Sequence, residues 1–311
     1  MGTKRKIYLP SIANLGASSA AGTVGLVDLP LYYDYHAIGL EYLDGGATPQ
    51  HIIYSSTGAL YTGSTAGGLL GDIALKINTD TVRIHSAAQL DRLNSLNGTI
   101  YAAQQVGAAA ATTVQTLKMY FAEPWRKDKN DTLATVATLT PAFGVNSAQL
   151  QITLASAMPA TGALRVFAIV DAPKQTPPAN GQLVKKVLRQ QLAASGTSLD
   201  VTNLDRKGYY QTIVLTHPST GFITAATVKV NGTVIRELDR RTNVAELTAA
   251  GMNPSNSVTV STFGFELVLD DDDPLNSALP VQGQDLQLKL DFSAAAAGNV
   301  VANIERLEFG W

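Results

Sequence analysis

The sequence contains no cysteine and few charged residues. Without cysteine, its 311 residues cannot form a disulfide framework or a thiolate metal site. Charged residues make up 15% of the chain, against the ~25% usual in soluble proteins. A surface with so few charges suits extensive contact with neighbouring molecules.

A basic surplus and a long apolar run are also absent. The formal net charge is −2, so the chain lacks the positive electrostatic potential that nucleic-acid binding requires. No specific nucleic-acid partner is therefore expected. No apolar run approaches the ~18 residues of a membrane-spanning helix. The apolar stretch after Lys4, Arg5 and Lys6 stops at Pro10, short of the ~7–15 residues of a signal-peptide core. Residues 1–30 are therefore interpreted as an N-terminal arm, either a disordered tail or a segment that touches an anionic surface or a neighbouring subunit.

One stretch of the sequence occurs twice. IALKINTDTVR, residues 73–83, returns as ATVKVNGTVIR, residues 226–236. Flanking matches keep the same order, with YHAIGL and YQTIVL upstream and LQITL and LQLKL downstream. The simplest interpretation is two copies of one β-rich domain, each too long to be a solenoid repeat.

Within each copy, short β-type runs are separated by turn residues, which predicts an antiparallel β sandwich or barrel. Leu75 and Ile77 share one face while Lys76 points the other way, as expected of a strand with one buried face. Each copy also predicts one short helix. The first is capped by Ser86 and stops at Gly98, and the second is capped by Asn243 or Thr242 and stops at Gly251.

The segment between the copies, residues 172–207, changes composition twice. A Pro-rich stretch reads as a linker. The run QLVKKVLRQQLAASG that follows places Leu183, Val187 and Leu192 on one helical face, which predicts a linker helix packed on one domain, with a helix reserved for a partner as the alternative. The predicted domains are thus residues 31–171 and 208–311.

Two loops at corresponding positions carry opposite charge. The second copy has Asp270, Asp271, Asp272 and Asp273 in a row, whereas the first has Arg126, Lys127 and Lys129. Adjacent carboxylates repel one another and need solvent, a cation or a basic neighbour. The four aspartates are therefore candidate calcium ligands, with a solvated loop as the alternative. The basic loop is a candidate intersubunit contact for the acidic one.

No stretch of the sequence predicts a catalytic site. There is no Gly-x-Ser-x-Gly elbow and no thiol, and the four histidines occur singly without metal-type spacing. The chain is therefore not expected to be an enzyme or to require a cofactor.

Several motifs together resemble a known family. They are the Tyr-x-x-Ile-x-Leu that opens each copy, the Leu-Lys-Ile-Asn and Val-Lys-Val-Asn strands, the Leu-x-x-Leu-Asn helix ending at Gly98, and FAEPWRKDKNDTL. They resemble the double jelly-roll major capsid proteins of tailless, icosahedral, membrane-containing bacteriophages, most closely the corticovirus type, with tectivirus and adenovirus coats as distant relatives. The resemblance covers about residues 31–171 and 208–311, nearly the whole chain.

The resemblance implies an all-β chain of two tandem eight-stranded antiparallel jelly rolls. It further implies pseudo-hexagonal homotrimers that tile an icosahedral shell over an internal membrane, with the vertex (penton) and membrane proteins of the virion as partners. The chain would be located in the virion capsid after assembly in the host cytoplasm, with the N-terminal arm against the lipid.

Two other classes of protein also use such domains. A secreted carbohydrate-binding or adhesin protein with tandem β sandwiches would be expected to show exposed aromatic clusters and a signal peptide. A cupin-like enzyme would need clustered His and carboxylate ligands, which this chain lacks.

Overall fold

A computed structural model of the chain describes residues 4–44, 50–53, 68–99, 114–173, 182–256, 263–270 and 278–311. The chain forms two compact units. The first comprises residues 1–94, 99–185 and 309–311, and the second comprises residues 95–98 and 186–308. Antiparallel strands dominate both units, which confirms the predicted all-β class.

The strands of the first unit form two antiparallel sheets. They are β1 Arg5–Tyr8, β2 Val24–Asp28, β3 Tyr33–Asp44, β4 Leu70–Ile77, β5 Asp80–Ser86, β6 Gln115–Tyr120, β7 Ala137–Leu139, β8 Ala148–Leu154 and β9 Gly162–Asp171. One sheet has the order β1-β9-β3-β6, with β7 also on β3, and the other includes β5-β4-β8-β2. Two helices, α1 Ala87–Leu96 and α2 Lys129–Ala134, lie in the connections.

The core of the first unit follows the period-two pattern of its strands. On β4, Leu75 and Ile77 are buried while Lys76 between them is half-buried, as the alternation predicts. On β8, Leu150, Ile152 and Leu154 are buried in the same way. Burying one face of each sheet against the other is the main source of stability for such a sandwich.

The second unit repeats this architecture with fewer, longer strands. They are β10 Leu183–Val201, β11 Tyr209–Thr216, β12 Ile223–Val230, β13 Thr233–Asp239, β14 Phe263–Val268, β15 Leu279–Pro280 and β16 Leu286–Phe309, with helix α3 Arg240–Ala249 after β13. One run of strands has the order β13-β12-β16-β10, and β11 pairs with β14, β15 and β16. The last of these strands, β16, is 24 residues long.

The register of the hairpins shows that the repeated stretch is a structural duplication. In β4–β5, Leu75 pairs with Arg83, and the register shifts between Leu75 and Lys76. In β12–β13, Val228 pairs with Arg236, and the register shifts between Val228 and Lys229. The bulge thus occurs at the same position in both copies.

The asparagines of the two turns have the same backbone conformation and make equivalent hydrogen bonds. Asn78 and Asn231 have φ of 51° and 50°, a left-handed conformation that Asn tolerates better than most residues. The Asn78 carboxamide oxygen accepts from the backbone N–H of Asn146 at 2.7 Å, and that of Asn231 accepts from Asp285 N–H at 2.9 Å. Each asparagine therefore ties its hairpin to the residues just before the adjacent strand of the sheet, β8 in the first unit and β16 in the second.

A second shared device is a buried tyrosine that opens each copy. The hydroxyls of Tyr35 and Tyr210 donate to the backbone carbonyls of Pro30 and Asp205, each five residues upstream. Both rings are fully buried, and burial raises the pKa of both hydroxyls. Each tyrosine thereby fixes the chain that enters its sheet.

The predicted linker helix is wrong, because residues 183–201 form strand β10. From Gln191 to Ala194 the side chains alternate between exposed and buried, as in a strand, and Val184 and Lys185 are both buried. Pairing with neighbouring strands has overridden the local helical periodicity. Of the preceding Pro-rich linker, residues 172–181, all but the first two residues lie outside the described ranges.

The predicted N-terminal arm also contributes strands to the first unit. β1 pairs with β9, and β2 pairs with β8. In the second unit, β10 lies next to β16. The first part of β16 pairs with β12, as β8 pairs with β4 in the first unit. The last part of β16 pairs with β11, as β9 pairs with β3. β1 and β2 together therefore correspond to β10. Both segments predicted to lie outside the domains are the opening strands of their units.

The predicted limits of the two helices are partly confirmed. The Ser86 hydroxyl caps α1 by accepting from Gln89 N–H at 3.1 Å, and Gly98 follows with φ of 64°. α3 begins earlier than predicted, because the Asp239 carboxylate, rather than Asn243 or Thr242, accepts from the first-turn N–H groups. No helix in the described ranges is long and apolar enough to cross a membrane.

Candidate functional site

The two loops of opposite charge leave their sheets at equivalent points. Phe121 N–H donates to the His36 carbonyl in the first unit, and Leu269 N–H donates to the Gln211 carbonyl in the second. His36 and Gln211 each follow the buried tyrosine of their copy, so Phe121 corresponds to Leu269. The two loops therefore begin at equivalent positions, while residues 271–277 of the acidic loop lie outside the described ranges.

A buried ionic cluster closes the loop of the first unit. The Glu123 carboxylate, 1% exposed, bonds the ammonium of Lys185 and accepts from Arg126 Nε at 2.8 Å. Burial would raise the pKa of Glu123, but the Lys185 and Arg126 charges and their hydrogen bonds outweigh burial and hold it below its usual value. The Trp125 ring completes the cluster, with its centroid 5.6 Å from Lys185 Nζ.

This cluster changes the interpretation of the basic loop. The Arg126 side chain is only 7% exposed and is paired with Glu123, so it is not presented to a neighbour as expected. Lys127 and Lys129 are exposed, and their contact with another subunit stays a prediction. The pair of Glu123 and Lys185 was missed because its members lie 62 residues apart, and Lys185 had been assigned to a helix.

The acidic loop begins with a buried carboxylate. Asp270 is 2% exposed, and its Oδ2 accepts from Gln211 Nε2 at 3.2 Å. Asp271, Asp272 and Asp273 lie outside the described residues. Among the residues that the structure describes, no three His, Cys, Asp or Glu side chains come together as metal ligands would.

The three basic residues near the N-terminus occupy different environments. The Lys6 ammonium bonds the Glu41 carboxylate and lies 4.1 Å from the Phe167 ring centroid and 4.8 Å from that of Tyr8. The hydrogen bond to Glu41 raises the pKa of Lys6 against the opposing effect of burial. Lys4 and Arg5 are exposed. Lys6 thus lies on its own sheet, the exposed Arg5 has its guanidinium 5.3 Å from the Tyr33 ring centroid, and Lys4 is exposed.

Comparisons with known proteins agree on one class. Residues 184–308 match the family model for the viral coat protein P2 C-terminal domain, while a search of curated protein sequences found no match. The major capsid protein P2 from Bacteriophage PM2 is similar over 99% of this chain and 100% of its own, at 15% identity and a TM-score of 0.70. The fold is that of a viral major capsid protein.

Two further capsid structures have the same double jelly roll. PBCV-1 VP54 aligns over 99% of this chain and 94% of its own, with 10% identity and a TM-score of 0.62. The STIV MCP aligns over 98% and 96%, with 14% identity and a TM-score of 0.61. In this capsid-protein fold the sandwiches are the scaffold, so the loops and strand edges described above are the places where it can meet other molecules.

Proposed function

We propose that this protein is the major capsid protein of an icosahedral virus and that it assembles as homotrimers that tile the shell. The observation that carries the proposal is the duplication, with the same hairpin bulge and the same buried tyrosine in both units. Three such chains supply six similar modules, so a trimer approximates a hexagon and can pack in a lattice. The double jelly-roll fold and the coat-protein match of residues 184–308 support it.

The oligomeric state tests this proposal most directly. Light scattering of the purified chain at micromolar concentration should show trimers, and electron microscopy should show shells or sheets under assembly conditions. A chain that stays monomeric in both experiments would contradict the proposal and favour a binding protein of tandem β sandwiches.

We further propose that the shell encloses a membrane and that Lys4 and Arg5 contact its anionic headgroups or a neighbouring trimer. Support comes from the exposure of both residues, with Lys4 just before strand β1 and Arg5 at its start. Because β1 is paired within the sheet, reversing the two charges is a cleaner test than deleting the segment. Lys4→Glu with Arg5→Glu should leave trimers intact and weaken binding to anionic vesicles. Unchanged vesicle binding and normal particles would exclude this role.

The acidic loop is proposed to need compensation once assembly removes it from solvent. Like charges at ~4 Å cost about 1 kcal/mol per pair in water and more at a protein surface. Calcium, or Lys127 and Lys129 of a neighbouring chain, would supply that compensation. Asp271→Asn with Asp272→Asn should barely change trimer melting but alter shell stability, and a chelator separates calcium from lysine. If neither the substitutions nor the chelator changes shell stability, the loop is a solvated turn without a role in assembly.

A further inference from the structure

Strand β13 is paired on one side only in the described part of the chain. It ends the strand order β13-β12-β16-β10. Val234 and Ile235 on this strand are 46% and 50% exposed, whereas Val82, the counterpart of Ile235, is 6% exposed. The counterpart of β13 in the first unit is β5, which has β4 on one side and β10 on the other. Among the described residues, the same strand thus has neighbours on both sides in one copy and on one side in the other.

Within the described ranges, strand β1 is an edge strand of the first unit. It begins the order β1-β9-β3-β6. Leu9 N–H donates to the Val166 carbonyl at 2.9 Å, and the register continues through Ile7 and Ala168. Since backbone groups alternate along an antiparallel ladder, the N–H and C=O of Lys6 and Tyr8 face away from β9. A further strand can be hydrogen-bonded there.

The charge of Lys6 on β1 does not fully prevent another strand from pairing with this edge. Charged residues on an edge strand usually prevent pairing with other chains. Here the Lys6 ammonium lies against Phe167 and is neutralised by Glu41 on the face of the sheet. Tyr8, 57% exposed, adds apolar surface at the same edge.

The chain itself contains a template for covering such an edge. The start of β10 corresponds to β1. Lys186 at this end of β10 forms an ion pair with Glu308, near the end of β16, and β1 likewise lies beside the last part of β9. β10 is the neighbour of β5 in the strand order, and Leu183–Lys185 at its start belong to the first unit. By the duplication, the strand that fits against β13 is therefore β1.

We propose that β13 of one chain pairs with β1 of a second copy of this chain. The contact joins two different edges, so it is head-to-tail and closes into a ring when the rotation between copies allows. Main-chain hydrogen bonds would supply affinity, while Val234, Ile235 and Tyr8 would be covered. This inference rests on the proposed self-assembly and names the strands that make it.

A proline in β13 separates backbone pairing from simple apolar contact. Val230 and Thr233 flank the two-residue turn and form its first bonded pair, so the N–H of Val234 in the next pair points away from β12. Val234→Pro removes that donor, while Val234→Thr keeps it in a β-branched residue. We expect Val234→Pro to raise the concentration needed for trimers at least tenfold, with circular dichroism unchanged, and Val234→Thr to stay near wild type.

Cross-linking gives a second readout that does not depend on the proline variant folding. Because the chain has no cysteine, chains carrying Tyr8→Cys and chains carrying Ile235→Cys can be co-expressed and treated with a short bis-maleimide. Covalent dimers of the two chain types are expected. Thr81→Cys replaces Ile235→Cys in the control, since Thr81 is exposed on the covered strand β5, and should give none.

The outcomes distinguish this inference from the proposed function. Trimers that form normally with Val234→Pro and give no Tyr8–Ile235 cross-link would overturn the strand pairing and leave the capsid proposal standing. Wild-type chains that remain monomeric would overturn both. Cross-links confined to the Tyr8 and Ile235 pair, together with the proline defect, would establish the pairing.

Discussion

The arginine at the end of the repeated stretch has opposite surroundings in the two units. Arg83 is 2% exposed, with its guanidinium 5.1 Å from the Phe121 ring centroid and Nη1 donating to the Tyr120 carbonyl at 2.7 Å. Arg236 is partly exposed and meets Glu246 at 3.4 Å. The hairpins carrying these arginines have the same register and the same bulge. Duplicated units therefore keep backbone pairing while the packing around equivalent side chains diverges.

The largest expected difference between the units concerns the buried Glu123 cluster. Glu123→Gln would leave the Lys185 and Arg126 charges buried without their carboxylate, a loss of about 3–5 kcal/mol. Glu246→Gln in the second unit breaks an exposed pair and should cost about 0–1 kcal/mol. Denaturant unfolding of both variants measures the difference, and equal losses would refute the distinction between a buried and an exposed carboxylate.

The same carboxylate predicts an acid response. The folded-state pKa of Glu123 is depressed, chiefly because Lys185 and Arg126 outweigh the effect of burial. Its contribution is therefore present above the unfolded pKa of about 4.3 and is lost as pH falls through the folded value. Wild type should lose stability more steeply than Glu123→Gln below about pH 4. Parallel pH profiles would show that another group controls acid unfolding.

An intermediate effect is expected from the paired arginines. Arg83→Met removes a charged hydrogen bond to a buried carbonyl and a contact with Phe121, for an expected loss of about 2–3 kcal/mol. Arg236→Met should cost less than about 1 kcal/mol, because its ion pair is exposed. Thermal melting of the two variants provides the comparison. A larger loss from Arg236→Met would mean that the ion pair between Arg236 and Glu246 matters more than its exposure indicates.

The smallest expected effect comes from the second turn residue of each hairpin. Thr79 has φ of 85°, a strained value for a β-branched residue, whereas the second unit has Gly232 there with φ of 77°. Thr79→Gly should be neutral or stabilising by up to about 1 kcal/mol, and Gly232→Thr should destabilise by about 1–2 kcal/mol. Precise denaturant midpoints of the exchanged pair test this, and changes of the same sign would show that the turns are not equivalent.

Much of the framework was predictable from local sequence. The matching of residues 73–83 with 226–236 predicted the duplication because strand alternation and turn asparagines are short-range signals. The opening strands were missed for a physical reason. β1 and β10 carry Lys and Arg, and only their partners β9 and β16, far along the chain, make them strands.

The candidate site was less predictable than the fold. Charge alone grouped Arg126 with Lys127 and Lys129, but the folded chain brings Glu123 and Lys185 to Arg126 and buries it. Opposite charges far apart in sequence cannot be paired without knowing the sheet order. The acidic run from Asp270 to Asp273 remains a prediction beyond its first residue.

Strand β16 has a consequence for the order in which the protein can fold. Its first residues pair with β12 and its last with β11, so the second unit lacks part of both pairings until residue 307 has been made. Gly310 N–H then donates to the Gln182 carbonyl at 2.7 Å, within the first unit. Synthesis proceeds from the N-terminus, so neither unit completes its contacts during most of translation. Chains interrupted before β16 are expected to stay open and to be degraded by proteases more readily than the complete chain.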